Sequence, residues 1–219
     1  MEEHLQHLRV TFDLLVKHQL FAKDKKCVFA ADKVEYLGHY ISAKGVATDL
    51  KNIEAIHTWP VPINLKQLRG FLGLDGYYRR FIKGYGSISK PITELLKKDN
   101  FIWTDQTTKA FNRMKEALTS APILVLPNFS IPFEIETDAC SMGIGVVLTQ
   151  KGQPVAYLSI RLSTKHQSLS VYDKELLALV MTVTKWNEYL MGRSFTVKID
   201  QKALKFLLEQ KLHIGSQLK

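Results

Sequence analysis

The chain has 219 residues, 46% hydrophobic and 23% charged, proportions that suit a globular protein with one or two cores. No run approaches the roughly 20 apolar residues needed to span a bilayer, and the acidic start Met1-Glu2-Glu3-His4 does not read as a signal or transit peptide. The formal charge is +9, with 16 basic against 10 acidic side chains in residues 1–98 and 14 against 11 after them; such an excess suits a polyphosphate partner but also occurs as solvated lysines.

In chain order, residues 2–18 read as an amphipathic packing helix, with Leu5, Leu8, Phe12 and Leu15 at helical spacing. Cys27 and Cys140 are far apart, which predicts reduced thiols in an intracellular protein and no metal-ligand pair. Val34–Ile41 read as short strands around Gly38, which permits a tight turn or the close approach of another backbone. A short helix over 50–59 is broken by Trp59-Pro60-Val61-Pro62. The next helix, about 64–82, has an apolar stripe of Phe71, Leu74, Tyr78 and Phe81. Its other face carries Arg69, Gly73, Gly76, Tyr77 and Arg80. Two interior glycines cost about 1 kcal/mol each, so that face meets either a closely packed helix or a bulky partner such as a nucleic-acid backbone. Residues 87–98 supply Ile88, Ile92, Leu95 and Leu96, and Asp99-Asn100 marks a boundary. Thr104 or Asp105 caps a helix with Phe111, Met114 and Leu118 inward, and Ala121–Pro127 is an extended connector. Trp103 and Trp186 read as core residues.

From 131 the pattern changes. The run Pro132–Thr137 alternates like a half-buried strand and closes on Asp138; Phe195–Ile199 does the same and closes on Asp200. Between them lie a hairpin (Gly143–Thr149, a turn at Lys151-Gly152, Pro154–Ser159) and a long helix with the stripe Tyr172, Leu176, Leu179, Val183, Trp186 and Leu190. Glu175 falls on that stripe, where a carboxylate is costly unless a positive charge meets it. Strand, hairpin, helix, strand is a crossover that lays the two aspartate strands parallel, so both acids leave the sheet at one edge. Singly each aspartate reads as a turn or cap residue; with Glu175 they read as ligands of a shared divalent cation. A final helix is expected over Ala203–Glu209.

Glu136-Thr137-Asp138-Ala139-Cys140 with Gly143-Ile144-Gly145-Val146-Val147-Leu148, Tyr172-Asp173-Lys174-Glu175-Leu176-Leu177-Ala178-Leu179, and Ile199-Asp200-Gln201-Lys202-Ala203-Leu204 resemble the three acidic motifs of the RNase H domain in gypsy-type long-terminal-repeat retrotransposons. Cys140 stands where the family usually has Ser, and Gln201 where it more often has His. Phe71-Leu72-Gly73-Leu74-Asp75-Gly76-Tyr77-Tyr78-Arg79-Arg80-Phe81-Ile82 resembles the thumb helix of the same elements, and the Tyr36-Leu37-Gly38-His39 segment resembles their primer-grip hairpin. Family thumbs carry a small residue at the place of Asp75, which would sit as an acid near a phosphate track.

The resemblance implies an α/β chain: a helical, thumb-like N-terminal part followed by an incomplete RNase H-like mixed sheet with helices. It divides the chain into the end of a reverse-transcriptase palm (1–47), a thumb (48–98), a connector (99–130) and a truncated RNase H-like domain (131–219). It implies that Asp138, Glu175 and Asp200 are catalytic and hold Mg2+, with Mn2+ as the alternative, Asp138 bridging two ions. Such ions, about 3.5–4 Å apart, would serve cleavage of the RNA strand of an RNA–DNA hybrid. It implies that Tyr36, Leu37, Gly38, His39, Arg69, Gly73, Tyr77 and Arg80 touch that hybrid or a template–primer duplex. Further expected partners are the palm, fingers and C-terminal RNase H segments of a parent polyprotein; no membrane partner is expected. The implied location is intracellular, in a cytoplasmic particle or the nucleus. No fourth acid of the family pattern follows Asp200, which predicts weak or absent cleavage, and no Tyr-X-Asp-Asp motif exists, so polymerisation is not expected. The competing reading is a non-catalytic nucleic-acid-binding relic of an inactivated element.

Overall fold

The computed structural model describes residues 2–98, 100–139 and 143–199, without the side chains of 138, 139, 164, 165 and 199. Helix α1 (Glu2–Lys17) has the expected spacing but buries none of its residues. Phe29 lies edge-on to Phe12, yet Leu5, Phe12 and Leu14 stay exposed. The expected packing helix is therefore only partly covered among the described residues, with Leu8 and Leu15 half-buried and none of its residues in a core.

A three-stranded antiparallel meander follows: β1 (Lys33–Tyr36), β2 (His39–Ser42) and β3 (Gly45–Thr48). Leu37 and Gly38, at φ 48° and 71°, make the left-handed pair that a two-residue hairpin needs. Asp49 caps α2 (Leu50–His57), and Asn64 caps α3 (Leu65–Tyr77). The helix expected to reach residue 82 ends at 77. A 3-10 turn over Arg79–Phe81 tightens the chain there and brings Tyr78 and Phe81 both into the core. Helix α4 (Tyr85–Glu94) starts after Gly84 at φ 69°, and α5 (Asp105–Thr119) starts from a capping box in which Thr104 and Thr107 bond each other's backbone. Phe71, Tyr78, Phe81, Phe111, Met114 and Leu118 are fully buried together, so α5 shares one core with α3. Leu124 enters the same core and bridges Val46 through two backbone hydrogen bonds of 2.7 and 2.9 Å.

The second half is a four-stranded sheet in the order β6-β5-β4-β7, built from β4 (Phe133–Ala139), β5 (Gly143–Gln150), β6 (Gln153–Arg161) and β7 (Phe195–Ile199). Lys151 and Gly152, both at positive φ, close the β5–β6 hairpin. Helices α6 (Thr164–Gln167), α7 (Val171–Lys185) and α8 (Asn187–Leu190) lead from β6 to β7, which pairs parallel to β4 from Phe133↔Phe195 to Thr137↔Ile199. The crossover inferred from element order is thus present. Its helix is rotated from the expected stripe: Glu175, Ala178, Thr182 and Trp186 are buried, while Tyr172, Leu176, Leu179 and Val183 are half-buried. Small side chains let α7 settle close on the sheet, and the larger ones flank that line of contact.

The halves touch through Gly86, whose amide donates to Ser159 Oγ (2.9 Å), and through an ion pair between Arg161 and Glu94. Among the described residues no helix is long and apolar enough to cross a membrane.

Candidate metal and nucleic-acid sites

Ser170 caps α7 and places Glu175 in its second turn, facing β4. There the Thr137 hydroxyl donates to Glu175 Oε2 at 3.0 Å, with Thr137 and Glu175 only 7% and 4% exposed. Thr137 is the residue before Asp138, whose strand position is opposite Gly145 of β5. Among the described residues no Lys, Arg or His nitrogen comes within 4.0 Å of the Glu175 carboxylate. A buried hard-oxygen donor held by one neutral hydroxyl suits a divalent cation. The Asp138 side chain and all of Asp200 lie outside the described residues.

The opposite face of β4 has a different arrangement. Lys198 Nζ on β7 bonds Glu134 Oε2 at 2.8 Å and Glu136 Oε1 at 3.2 Å, and these two bonds hold its ammonium above the usual lysine range. The period-2 alternation and parallel pairing carried the signal for this triplet, but nothing in the sequence made the lysine stand out.

Of the residues expected to meet nucleic acid, Tyr36, Leu37, Gly38, His39, Tyr77 and Arg80 gather where the β1–β2 turn docks on the end of α3, while Arg69 and Gly73 lie one to two turns back along that helix. Tyr36 and Leu37 are exposed at the turn. Tyr77 donates to Leu37 O (2.7 Å), Tyr78 donates to Gly38 O (2.9 Å), and Asn52 Nδ2 donates to Tyr78 Oη (2.8 Å). A Cβ on Gly38 would stand 3.0 Å from Tyr78 Oη and 3.1 Å from Asn52 Nδ2, so the glycine serves both the turn and a close approach. The His39 ring stacks on Tyr77 with centroids 5.2 Å apart, and burial followed by the Arg80 charge lowers its pKa. Arg69 is exposed, and a methyl on Gly73 would meet nothing within 4 Å. Close helix packing is therefore not what Gly73 serves. Arg80 is half-buried, its Nε without a hydrogen-bond partner.

Asp75 is not beside that track. It points inward between Phe71 and Tyr78, fully buried, and burial pushes its carboxyl up to about 6 against the opposing effect of the Tyr85 hydroxyl. Both carboxylate oxygens are buried without a hydrogen-bond partner, the Tyr85 hydroxyl being a neighbour only.

Residues 103–197 match the family described as an RNase H-like domain found in reverse transcriptase. The chain is 36% identical over 209 residues to a retrovirus-related Pol polyprotein from transposon 297 of Drosophila melanogaster, covering 94% of this chain and 20% of that one. It is 47% identical over 131 residues to an uncharacterized mitochondrial protein of Arabidopsis thaliana, of which it spans 83%. It is 36% identical over 194 residues to the Tf2-3 transposon polyprotein of Schizosaccharomyces pombe, of which it spans 15%. The fold matches that of a foamy viral protease-reverse transcriptase in complex with double-stranded DNA (TM-score 0.85, 22% identity, 99% of this chain, 40% of that one). It also matches the complex with RNA/DNA hybrid (TM-score 0.83, 23% identity, 99% and 31%).

Proposed function

Because the chain belongs to the retrotransposon Pol polyprotein family and carries its RNase H-like domain, we propose that it binds RNA–DNA hybrid and contributes carboxylates to metal-dependent cleavage of the RNA strand. In this reading, of the gypsy type, residues 48–98 act as the thumb. The face of Arg69, Gly73, Tyr77 and Arg80, with the turn at Tyr36–His39, meets the nucleic-acid backbone. Asp138, Glu175 and Asp200 would hold Mg2+, with Mn2+ as the alternative, inside the cell as part of a larger Pol assembly.

One observation carries the catalytic half: Glu175, buried at 4% exposure, has the Thr137 hydroxyl as its neighbour and no cationic side chain within 4.0 Å among the described residues. When bound, a divalent ion acidifies a water and neutralises charge at the leaving oxygen. The protein's part is orientation. The Thr137 hydroxyl fixes one carboxylate oxygen and leaves the other for a ligand, while the β4–α7 contact keeps bulk water away. RNA differs from DNA at the 2′-hydroxyl, the group that distinguishes the strand to be cut.

The test is cleavage of a labelled hybrid in Mg2+ or Mn2+ against EDTA, alongside hybrid binding. Metal-dependent RNA products, lost in Glu175→Gln and Asp138→Asn, support the reading. Cleavage that survives Glu175→Gln refutes it. Cleavage by this chain is expected to be weak or absent, so the non-catalytic, relic function is assigned by hybrid binding with neither cleavage nor any Mn2+ binding that Glu175→Gln removes.

A further inference from the structure

Three hollows open beside strand β6, the third reaching Gly143–Gly145 of β5, and all three share Ser159. The first, about 310 Å3, lies between the 3-10 turn and α7–α8; its walls combine the cations Arg79, Arg80 and Lys185 with the rings of Tyr77, Tyr157 and Tyr189. The second, about 730 Å3, continues between Arg79, Lys185 and Arg161. The third, about 380 Å3, ends against Arg161 and the start of α4. Their β6 lining runs from Ala156 to Arg161, roughly 16 Å of strand at about 3.3 Å per residue. Among the described residues no acidic side chain lines any of them. Glu94, which reaches Arg161 at the end of the groove, is paired with both Lys97 and Arg161.

The geometry points to a binding groove for single-stranded nucleic acid, with an unpaired base held in the Tyr77–Tyr157–Tyr189 hollow and phosphates beside Arg79 and Lys185. Three features favour this occupant. Rings beside cations in the first hollow, continued by cations alone in the other two, are what one stacked base and the charged backbone leading from it would select. A recess of about 310 Å3 is in the range of small-ligand clefts, which admits one base and excludes a base-paired duplex. The Nε of Arg80 lies buried at this hollow without a partner. An acidic peptide would satisfy the cations but leave the rings without a match. Strand addition to β6 is hindered by α4 and the 3-10 turn, which pack against it, as in the Gly86–Ser159 contact. The inference rests on the chain being a nucleic-acid binder, and extends it from duplex to a strand leaving the duplex.

The experiment titrates the full chain with three fluorescein-labelled probes: an oligothymidylate, an abasic strand of the same length, and a blunt RNA–DNA hybrid. Arg79→Ala with Lys185→Ala removes two exposed cations of the groove; Lys109→Ala with Arg113→Ala removes the same charge from the exposed side of α5. We expect the groove pair to weaken oligothymidylate binding about tenfold and to flatten its salt dependence by roughly 1.4 in log–log slope, at about 0.7 per lost phosphate contact. Blunt hybrid should change less than about threefold, the α5 pair should leave the strand's affinity within about twofold, and the abasic strand should bind at least about fivefold more weakly than oligothymidylate. Equal losses for strand and hybrid, equal losses in the two double variants, equal binding of abasic and base-bearing strands, or displacement of the strand by an acidic peptide at matched charge would each overturn the proposal. Hybrid binding without strand binding by the unaltered chain sinks this inference alone; binding of neither probe sinks the broader reading too.

Discussion

Replacing Tyr78 with Phe tests how the β1–β2 turn is fastened to the helical half. The ring is fully buried, so the substitution keeps its packing and removes only the hydroxyl. Two hydrogen bonds disappear: the one donated to Gly38 O at 2.9 Å and the one accepted from Asn52 Nδ2 at 2.8 Å. Gly38 O keeps a second partner, the Asp49 amide at 3.1 Å, which limits the loss on that side. The Asn52 amide is half-buried and loses its partner across the interface. At about 0.5–1.5 kcal/mol net per bond, the cost is about 1–3 kcal/mol. Urea unfolding followed by tryptophan fluorescence should show a midpoint lower by roughly 0.5–1.5 M with an unchanged slope. Hydrogen exchange at the Asp49 amide should quicken more than exchange in β4 or β5. A midpoint within about 0.2 M of the unaltered chain, with Asp49 protection intact, would refute the idea that this hydroxyl ties turn to helix.

Asp75→Asn should stabilise the chain at pH 7 by about 2–3 kcal/mol, since a carboxyl at about 6 in the fold and 3.8 otherwise favours the folded state only when protonated. The sign follows: the unaltered chain gains stability as pH falls from about 6 toward 4, and urea midpoints at pH 7 and 5 should converge in the variant. Gly45→Ala should cost at least about 3 kcal/mol, because a Cβ there would stand 2.1 Å from Leu124 O at φ 128°; a thermal melt lowered by only a degree or two would contradict this. Thr137→Val should cost about 1.5–3 kcal/mol by taking a hydrogen bond from a buried carboxylate, read as a shifted denaturation midpoint. Tyr77→Phe should leave hybrid affinity within about twofold while Tyr77→Ala lowers it at least about fivefold in fluorescence titration, because the ring that packs on His39 and not the hydroxyl, which is committed to Leu37 O, meets the nucleic-acid backbone.

The parallel pairing of β4 with β7 was legible because a strand–hairpin–helix–strand order admits few topologies. The burial of Glu175 was legible because 3.6-residue spacing carries an acid onto the inner side of a helix as surely as it carries a leucine. Thr104 announced its helix by cap chemistry that is local in sequence. What failed was set by distant partners. Strand β3 runs from Gly45 to Thr48 and owes its place partly to Leu124, far along the chain, so its own four residues gave little warning. Asp75 was placed near a phosphate track by resemblance to a thumb helix, whereas the α3 stripe of Leu68, Phe71 and Tyr78 takes it inside. The rotation of α7 came from contact distance to a sheet, which favours Ala178 and Thr182 over leucines at the seam. The Lys198 triplet depends on the β4–β7 register, a relation that no single strand contains.

Leu124 and Val125 are neighbours in the chain, yet they fasten to different bodies. Leu124 is pinned to Val46 and the helical core, while the amide of Val125 reaches Pro154 on β6 and its side chain lies against the sheet core. A joint one peptide bond long leaves almost no slack for a swivel at that point. The helical half and the sheet should therefore melt in a single transition, and any swing that opens onto a long substrate must pivot elsewhere, beyond the staple these two residues form.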